Sequence, residues 1–556
     1  MKFQSGIYHM IEVFSMSNEG KEGKILLIDS QGKTVEELAG NGYHRWIKLP
    51  LAEDQEYTLE LEHCDAPLIY LSECENILEK GICYLNEQVE GNCLTNDKLA
   101  RWYDTPYREQ YHFNPYQGWI NDPNGLCYFK GYYHLYYQYN PFGQEWNNMY
   151  WGHATSKDLM HWVHLPVCLE PQEELRGNTQ AKGGAFSGSA VVSGDEILFY
   201  LTRHFGPLED GPETIEYQTF TRSRDSIHFE PEQVIVERPG PEVSYNFRDP
   251  KLFFYGGKWN MVLGSAVSGV PALVNFTSEN GIDGWEYQGP ILTDSRGGIE
   301  TIECPDFFEL DGKYVAVGDL MWYHDAYGRY QPLWYYIGNY QDGKLQVEQD
   351  GLLDFGTNFY AVQSFEHEGR RIAIGWISDF YSEHQILEPG AYGSMSLPRE
   401  LHLKNGKLTM LPVQEAYALK GEALASVKQQ GLHLEQVPGN SYYVKLCMER
   451  QTDFELVLAQ QPGASLRFVY QNGVAEIKTA GVATESVRFP ADVSAICTAE
   501  IFVDRRTVEI FLNDGEAAGA KVFYLDSADG SFSAEFADAA AVSELSVHRM
   551  NSVWGK

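Results

Sequence analysis

Three acidic residues stand in short motifs that share one context. Asp122 lies in WINDPNG, Asp249 in NFRDP and Glu303 in IECPD, each one or two residues before a proline and ahead of an aromatic-rich extended run. A plain turn is the alternative for Asp122, because Asn, Asp, Pro and Gly are the commonest turn residues. Carboxyl groups in different protonation states can act as nucleophile and as general acid–base. The motifs predict this chemistry if the acids meet in space.

A loose repeat over about residues 110 to 412 predicts how they could meet. Each unit begins with an acid or a serine and continues with two or three β-rich runs, and the openings are about 50 to 65 residues apart. Repeats of several short strands with this period are typical of β-propeller blades. Five openings predict five blades around one axis, where equivalent positions converge. The openings are Asp122, Ser187, Asp249, Glu303 and Asp354.

The segments on either side of the repeat have a different character. Residues 1–105 contain alternating runs such as KILLID and YTLELEH, and residues 413–556 contain SYYVKLCM and TVEIFLN. Such alternation between turn clusters predicts β-sandwiches. The expected chain is therefore all-β: a β-sandwich-like module at 1–105, a five-bladed propeller at 106–412 and a C-terminal β-sandwich. A packing or homo-oligomer role for either flanking domain is favoured over sugar binding.

Composition limits the partners. The 556 residues carry a formal net charge of −36, which argues against nucleic acid and anionic membranes because phosphate contacts need clustered Lys and Arg. A neutral substrate is compatible with this charge. The N-terminus has no unbroken apolar core of a signal peptide, and no run is long enough to span a bilayer. These features predict a cytoplasmic protein.

Cysteines and histidines give no signal for a metal or a cofactor. The nine cysteines form no CxxC pair, which favours reduced thiols over a disulfide framework or a zinc site. His153, His161 and His164 lack a carboxylate at ligand spacing and are interpreted as structural. No glycine-rich phosphate loop or dinucleotide fingerprint is present, so neither a metal nor an organic cofactor is expected.

The order of the motifs carries a family resemblance. WINDPNG, FSGSA, RDP, ECPD and MSLPREL follow one another, and IFVDRRTVEIFLNDGE comes later. Together they resemble glycoside hydrolase family 32, the invertase, levanase and inulinase group that acts on β-fructofuranosides. The resemblance covers roughly residues 110–556. It implies that Asp122 is the nucleophile, Glu303 the acid/base and Asp249 the transition-state stabiliser of a retaining hydrolase. Repulsion from the aspartates and partial burial would keep Glu303 protonated.

The same resemblance, taken position by position, implies contacts with a bound fructosyl unit. Core packing is the alternative for Trp146 and Phe186, and it is equally expected for Trp376. Cys304 follows the acid, and its thiol is a candidate for tuning Glu303. The implied substrate-binding residues are Asn121, Gln138, Trp146, Phe186, Ser187, Arg248 and Trp376.

Three functions stay open from the sequence. The first is a retaining β-fructofuranosidase that releases fructosyl units from sucrose, fructo-oligosaccharides or fructans. The second is a fructosyltransferase, in which a sugar replaces water as the acceptor and the same carboxylates serve. The third is a non-catalytic fructan-binding protein. The first two differ in acceptor-site loops, which motifs do not reveal.

Overall fold

The computed structural model describes residues 1–555 except 19, 41–43, 179, 209–210, 378, 380 and 382–390. Strands make up 59% of the chain and helices 5%, so the predicted all-β class is confirmed. No helix in the described residues is long and apolar enough to cross a membrane. The α-helices are single short turns: α1 Ile77–Lys80, α2 Leu99–Tyr103 and α3 Gln414–Tyr417.

Two sheets form the N-terminal part of the chain. Alternate residues of the strand Lys24–Asp29, such as Ile25 and Leu27, are buried in an apolar cluster to which both sheets contribute. Phe14 and Tyr70 face the other way and join the cluster of the following domain. The strands are β1 Lys2–Gln4, β2 Met10–Ser17, β3 Lys24–Asp29, β4 Thr34–Leu38, β5 Arg45–Pro50, β6 Glu56–Glu62, β7 Cys64–Ser72, β8 Cys83–Leu85 and β9 Cys93–Thr95. The sheet orders are β1-β6-β3-β4 and β5-β2-β7-β8-β9.

One cysteine pair departs from the sequence prediction. Cys83 and Cys93 form a disulfide across the β8–β9 hairpin. The expectation of reduced thiols is therefore wrong for this pair, because hairpin pairing brings two cysteines together that no CxxC spacing announces. The other seven cysteines, all within the described residues, are free.

Five sheets follow between residues 118 and 412. Four run outward in chain order, and in the fifth the order is β26-β27-β30-β31 with β29 beside β27. β28 crosses back to pair in parallel with β10, which fastens the last sheet to the first. The strands are β10 Gly118–Phe129, β11 Tyr132–Asn140, β12 Tyr150–Ser156, β13 Trp162–Leu169, β14 Ala181–Ser193, β15 Glu196–Pro207, β16 Ile215–Ser223, β17 Gln233–Glu237, β18 Arg248–Tyr255, β19 Lys258–Val267, β20 Val270–Ser278, β21 Glu286–Thr293, β22 Ile302–Leu310, β23 Lys313–Leu320, β24 Leu333–Gln341, β25 Lys344–Leu352, β26 Phe359–His367, β27 Arg370–Ile377, β28 Ala391–Tyr392, β29 Ser394–Met395, β30 Arg399–Lys404 and β31 Lys407–Pro412.

The first strands of these sheets form a closed ring. β10 packs beside β14, β14 beside β18, β18 beside β22, β22 beside β26, and β26 returns to β10. Strands that surround a common axis in this way make a β-propeller. Residues at one level of the ring therefore face one central space, although they are far apart in sequence.

A β-sandwich of two six-stranded sheets closes the chain. β40 is buried on both faces: Ile510 faces the sandwich core, and Phe511 faces the propeller. The strands are β32 Lys420–Val427, β33 Leu432–Val437, β34 Ser441–Met448, β35 Phe454–Gln461, β36 Ala464–Gln471, β37 Val474–Ala480, β38 Phe489–Pro490, β39 Thr498–Asp504, β40 Thr507–Leu512, β41 Ala517–Val522, β42 Gly530–Phe536 and β43 Val542–Met550.

A buried charged network joins propeller and sandwich. Arg399 donates to Glu509 and to Asp354, and His112 contacts both Asp504 and Glu509. Asp354 was predicted as the opening of the fifth repeat, and this prediction is wrong. The carboxylate of Asp354 accepts backbone N–H groups instead, including that of the sandwich residue Ala520 at 2.9 Å.

Candidate active site

The ring of first strands encloses a cavity of about 360 Å³. Every site residue predicted from the sequence lines it, including those for which core packing was the alternative. The structure thus brings together side chains from residues 121 to 376. The lining consists of Trp119, Asn121, Asp122, Gln138, Trp146, Phe186, Ser187, Arg248, Asp249, Glu303, Cys304, Met321, Trp322, Gln331, Tyr360 and Trp376.

A β-bulge interrupts each first strand at the level of the cavity. Bulges bend a strand and re-aim its side chains, and they are common beside active sites. Within three of them a residue adopts the left-handed conformation: Asp249 at φ 65°, Cys304 at 48° and Ala361 at 53°. The bulges lie between Ile120 and Pro123, Ala185 and Gly188, Arg248 and Lys251, Glu303 and Asp306, and Tyr360 and Gln363.

Asp122 is held from both sides of its carboxyl group. The Ser187 hydroxyl donates to Oδ2 at 2.5 Å, and the Asn121 amide donates to Oδ1 at 3.1 Å. Asn121 is itself oriented by the Trp119 indole N–H at 2.8 Å. Burial raises the pKa of Asp122, and the hydrogen bonds from Ser187 and Asn121 counteract part of that rise because they stabilise the anion.

Glu303 has two partners that favour its charged form. Arg248 Nη1 donates to Oε1 at 3.0 Å, and the Tyr360 hydroxyl donates to Oε2 at 2.6 Å. Burial nevertheless raises the pKa of Glu303 overall, and the charge of Asp122 adds to the rise. The direction agrees with the sequence-based expectation, but burial rather than repulsion is the larger cause.

Cys304 connects the three carboxyl groups. It follows Glu303 in the chain, its N–H donates to Asp249 Oδ2 at 2.8 Å, and its thiol lies 3.5 Å from Asp122 Oδ2. The left-handed backbone at Cys304 turns the N–H and the thiol toward the two aspartates. Burial and the surrounding acids raise the pKa of the thiol, so Cys304 is a neutral donor.

Asp249 is the most strongly perturbed of the three acids. Burial, together with the charges of Asp122 and Glu303, raises its pKa to about 8 despite the adjacent Arg248. This direction favours the protonated form of Asp249 in the free cavity. A positive charge that develops nearby would lower this pKa, so Asp249 would become the anion of the sequence prediction only when such a charge forms.

Aromatic and amide groups complete the walls. Phe186 stacks on His204 at 4.1 Å between ring centroids and meets Trp146 edge-on at 5.9 Å. The Gln138 side-chain amide donates to the Ala185 carbonyl at 2.7 Å, which fixes its orientation beside the carboxylates. Trp376 meets Trp119 edge-on at 5.6 Å. A small polar ligand with one apolar face fits such a lining.

Sequence reasoning missed a group of polar residues behind this wall. Glu216, on β16, accepts from His204 Nδ1 at 2.7 Å and pairs with Arg248 Nε at 2.9 Å. Burial raises the pKa of Glu216, but the charge of Arg248 and the hydrogen bond from His204 lower it overall. Glu216 lies in no motif, and its strand, IEYQTFTRS, contains several other polar residues, so no signal in the sequence distinguishes it.

Two further residues beside Glu303 were missed. Tyr360 occupies the bulge of the fifth first strand, the place that had been predicted for Asp354. Asp319 pairs in register with Glu303 on β23, is fully buried and accepts the Ala361 N–H at 2.9 Å. Burial, with the charge of Glu303, raises the pKa of Asp319 well above its usual value.

The three histidines considered as ligands have separate neighbours. His153 contacts His134 at 3.0 Å, His161 contacts Asp158, and His164 lies 3.4 Å from the Tyr103 hydroxyl. Across the described part of the chain, no group of three or more His, Cys, Asp or Glu side chains could hold a metal ion. The arrangement is that of carboxyl chemistry: a carboxyl that can attack, one that can give a proton, and one that responds to positive charge.

Sequence comparison places known proteins beside this chain. Residues 112–412 match the model of the glycosyl hydrolases family 32 N-terminal domain, and residues 422–549 match that of the family 32 C-terminal domain. A sucrose-6-phosphate hydrolase of Zymomonas mobilis is 33% identical over 443 residues, which are 74% of this chain and 84% of that protein. A levanase of Bacillus subtilis is 29% identical over 514 residues, 82% of this chain and 72% of that protein.

Solved structures agree with these matches. A glycoside hydrolase family 32 structure from Bifidobacterium adolescentis has a TM-score of 0.93 at 32% identity and covers 100% of this chain and 99% of that one. The N-terminal residues, for which the motifs showed no resemblance, are therefore shared with that protein. A Bombyx mori β-fructofuranosidase mutant in complex with sucrose has a TM-score of 0.68 at 26% identity, covering 81% of this chain and 95% of its own.

Proposed function

The chain belongs to glycoside hydrolase family 32, and we propose that it hydrolyses terminal β-D-fructofuranosyl units from sucrose, fructo-oligosaccharides or fructans with retention of configuration. One observation carries the assignment of residues. Asp122, Asp249 and Glu303 line one cavity of about 360 Å³, in which Cys304, the residue after Glu303, contacts the carboxyl groups of both aspartates. Burial raises the pKa of all three carboxyl groups, while each has its own hydrogen-bond or charge partners that oppose the rise.

The proposed first step is a displacement at the anomeric carbon. The Asp122 carboxylate forms a bond to C2 of the fructosyl unit, while the bond from C2 to the leaving oxygen breaks. Glu303 transfers its proton to that oxygen, so the leaving sugar departs as a neutral alcohol. In the second step Glu303 takes a proton from water, and the resulting hydroxide displaces Asp122.

Asp249 is proposed to act in the transition states of both steps. The fructosyl unit carries positive charge in both transition states, and charge of that sign stabilises a carboxylate. Asp249 can hold hydroxyls of the fructosyl unit by hydrogen bonds, and its carboxylate form is favoured as the positive charge develops. Arg248 is held by Glu216 and Glu303. It thereby keeps the neighbouring Asp249 in position.

Relatives support the substrate class. The similar proteins include sucrose-6-phosphate hydrolases and a levanase, and a similar structure is a β-fructofuranosidase with sucrose. A fructosyl unit is common to these substrates. For this chain we infer only that it binds a fructosyl unit, which the ten residues predicted from the sequence would surround.

We also propose the division into domains. The limits are residues 1–105 for an extra N-terminal module, 106–412 for a five-bladed propeller and 413–556 for the C-terminal sandwich. The closed ring of five first strands supports the blade count. A cytoplasmic location remains part of this proposal and is supported by seven free thiols, whereas the Cys83–Cys93 disulfide argues against it.

Product analysis tests the function. The protein is incubated in parallel with sucrose, 1-kestose, inulin and levan, and the products are separated by anion-exchange chromatography. Free fructose is expected, and its rate ranks the chain lengths. Longer oligosaccharides in place of fructose would instead indicate the fructosyltransferase.

A pair of variants identifies the cavity as the source of the activity. Asp122→Asn is expected to abolish turnover because the amide cannot form the covalent intermediate. Asp342→Asn, in the exposed β24–β25 turn, is the matched control and should keep full activity. Equal activity of wild type and Asp122→Asn, or binding of fructan without turnover by the wild type, would overturn the proposed function.

A further inference from the structure

Three bulges of the propeller share one hydrogen-bonding device. A bulge takes a backbone N–H out of its ladder, and a buried N–H needs another acceptor. Here the acceptor is a side chain of the preceding sheet. The Asp249 N–H donates to the Thr202 hydroxyl at 2.9 Å, and the Cys304 N–H donates to Asp249 Oδ2 at 2.8 Å. The Ala361 N–H donates to Asp319 Oδ2 at 2.9 Å. Each of these bulges is thus fixed by the sheet before it.

Asp319 has a special place among these acceptors. It lies on β23 directly opposite Glu303 on β22, and it is fully buried outside the cavity lining. Side chains at directly opposite positions of antiparallel strands lie on the same face, with Cβ atoms about 5 Å apart. Asp319 is therefore next to the proposed acid, although it does not line the space that a substrate would occupy.

The contact of Asp319 with Ala361 also concerns Tyr360. Tyr360 directly precedes Ala361, and its hydroxyl donates to Glu303 Oε2 at 2.6 Å. Ala361 has a left-handed φ of 53°, which a residue other than glycine keeps where the surrounding structure enforces it. Asp319 supplies such a constraint from the sheet that carries Glu303. One carboxyl group thus ties the backbone beside Tyr360 to the sheet of the proposed acid.

The contact needs an acceptor oxygen rather than a charge. Oδ2 of Asp319 accepts the Ala361 N–H, whereas Oδ1 is buried and has no hydrogen-bond partner among the described residues. A buried carboxylate with one unpartnered oxygen is costly, and like charges directly opposite across a sheet are destabilising. Burial, with the charge of Glu303, raises the pKa of Asp319 well above its usual value. These observations favour a neutral acceptor.

We propose that Asp319 is a positioning residue for the proposed acid: it fixes the bulge of β26 so that the Tyr360 hydroxyl stays hydrogen-bonded to Glu303. The inference rests on the proposed function and adds a residue outside the cavity that sets the hydrogen bonding of the acid. The hydrogen bond from Tyr360 lowers the pKa of Glu303, because it stabilises the charged form. Loss of the acceptor at position 319 should therefore appear in the basic limb of the pH profile.

Other titratable and charged groups also face Glu303, and a substitution at position 319 leaves their identity unchanged. Tyr360 is the one whose neighbour in the chain is held by Asp319, so it is the group that the substitution is expected to move. The groups are Asp122, Glu216, Arg248, Asp249, Cys304, Tyr330 and Tyr360.

The pH profile of kcat/KM on sucrose tests the proposal. Asp319→Ala removes the acceptor, and its basic limb is expected to shift upward by about one pH unit, the usual worth of a hydrogen bond to a charged group. Asp319→Asn keeps a carbonyl oxygen for the Ala361 N–H, so its limb should stay close to that of the wild type. Asp294→Ala is the matched control, since Asp294 is a buried acid outside the cavity that accepts the Arg296 N–H at 2.9 Å. It should leave the limb in place.

A double variant identifies the route of the effect. Asp319→Ala combined with Tyr360→Phe should shift the limb no further than Tyr360→Phe alone, because both changes remove the same hydrogen bond. Additive shifts would show that Asp319 does not act through Tyr360 and would overturn the inference.

Three outcomes of the single variants would also overturn it. An unshifted limb in Asp319→Ala would show that Tyr360 needs no such support. A downward shift would show that a negative charge on Asp319 acts directly on Glu303. Equal shifts in Asp319→Ala and Asp319→Asn would show that the acceptor oxygen is not what matters.

Crystal structures of the variants separate the inference from the proposed function. In Asp319→Ala the Tyr360 hydroxyl is expected to lie more than about 3.5 Å from Glu303 Oε2, beyond hydrogen-bond distance. In Asp319→Asn the distance should remain near 2.6 Å. An unchanged contact in Asp319→Ala would overturn the inference in an active enzyme. A wild type that cleaves no fructoside would be a failure of the proposed function, and the structures would still decide the inference.

Discussion

The Ser187 hydroxyl donates a hydrogen bond of 2.5 Å to Oδ2 of Asp122, from a strand that begins about 60 residues later in the chain. The two residues sit in bulges of neighbouring first strands, β10 and β14. This contact stabilises the anion that the proposed mechanism needs for attack. It opposes the burial that raises the pKa of Asp122.

Ser187→Ala should move the acidic limb of the activity profile. The carboxylate of Asp122 loses a hydrogen bond, its pKa rises further, and a higher pH is needed to ionise it. We expect the acidic limb of kcat/KM for sucrose to shift upward by about one pH unit, the usual worth of a hydrogen bond to a charged group. Ser189→Ala is the matched control, since Ser189 lies on the same strand but donates to the Pro250 carbonyl. An unshifted acidic limb in Ser187→Ala would show that this hydrogen bond does not set the pKa of the nucleophile.

Tyr360→Phe should move the other limb. The Tyr360 hydroxyl donates to Glu303 at 2.6 Å and lowers the pKa of this carboxyl group. Its removal raises the pKa, so Glu303 keeps its proton to a higher pH, and the basic limb of kcat/KM is expected to shift upward. The pH profile on sucrose measures this. Tyr335→Phe replaces a buried tyrosine that lies outside the cavity, in the sheet that carries Glu303, and should leave the limb in place. A downward shift in Tyr360→Phe would contradict the assignment of Glu303.

Glu216→Gln should shift the basic limb in the opposite direction. The negative charge of Glu216 compensates Arg248 and raises the pKa of Glu303. A neutral amide of the same size leaves Arg248 uncompensated, so Glu303 loses its proton at a lower pH. We expect a downward shift together with a lower kcat, because Arg248 is also less well oriented.

The control for Glu216→Gln is a second buried ion pair nearby. Glu232 pairs with Arg203 at 2.9 Å, behind the same sheet, without contact to Arg248. Glu232→Gln should reduce stability without a change in the pH profile. If Glu216→Gln lowered kcat with no shift of the limb, its role would be structural rather than one of positioning Arg248.

His112 should make the stability of the protein depend on pH. Burial opposes its charge, but hydrogen bonds to Asp504 and Glu509 raise its pKa to about 9. A pKa raised above the unfolded value of about 6.5 gives stability that is complete below that pH and is lost as the pH rises through 9. The shift corresponds to on the order of 3 kcal/mol.

Urea unfolding at pH 6 and pH 9.5 tests this. His112→Gln is expected to lower the unfolding midpoint clearly at pH 6, and the difference from the wild type should shrink at pH 9.5. His402→Gln, in which the replaced ring is 55% exposed beside Glu400, is the control and should not alter the pH dependence. A difference between His112→Gln and wild type that is the same at both pH values would show that His112 is neutral in the folded protein.

Local patterns were sufficient for the fold class and for the motifs. Strand alternation such as that of KILLID follows from one buried face, and a period of about 50 to 65 residues follows from a sheet that is repeated. The three carboxylates and several of the predicted contacts could be named because they lie in short motifs at the bulges of the first strands. Family membership, propeller and sandwich were confirmed on this basis.

Tertiary structure decided what depends on pairing between distant strands. In the closed ring Tyr360, not Asp354, is the fifth strand's contribution to the cavity lining, because the bulge on β26 begins six residues after Asp354. Asp354 binds the sandwich instead. Glu216 lies on the third strand of its sheet, and Asp319 lies on the second strand of its sheet. Their partners are set by the strand register behind the cavity wall. The amino-acid sequence by itself determined which side chains could do the chemistry. Burial and register, which are properties of the closed ring, decided their protonation and their neighbours.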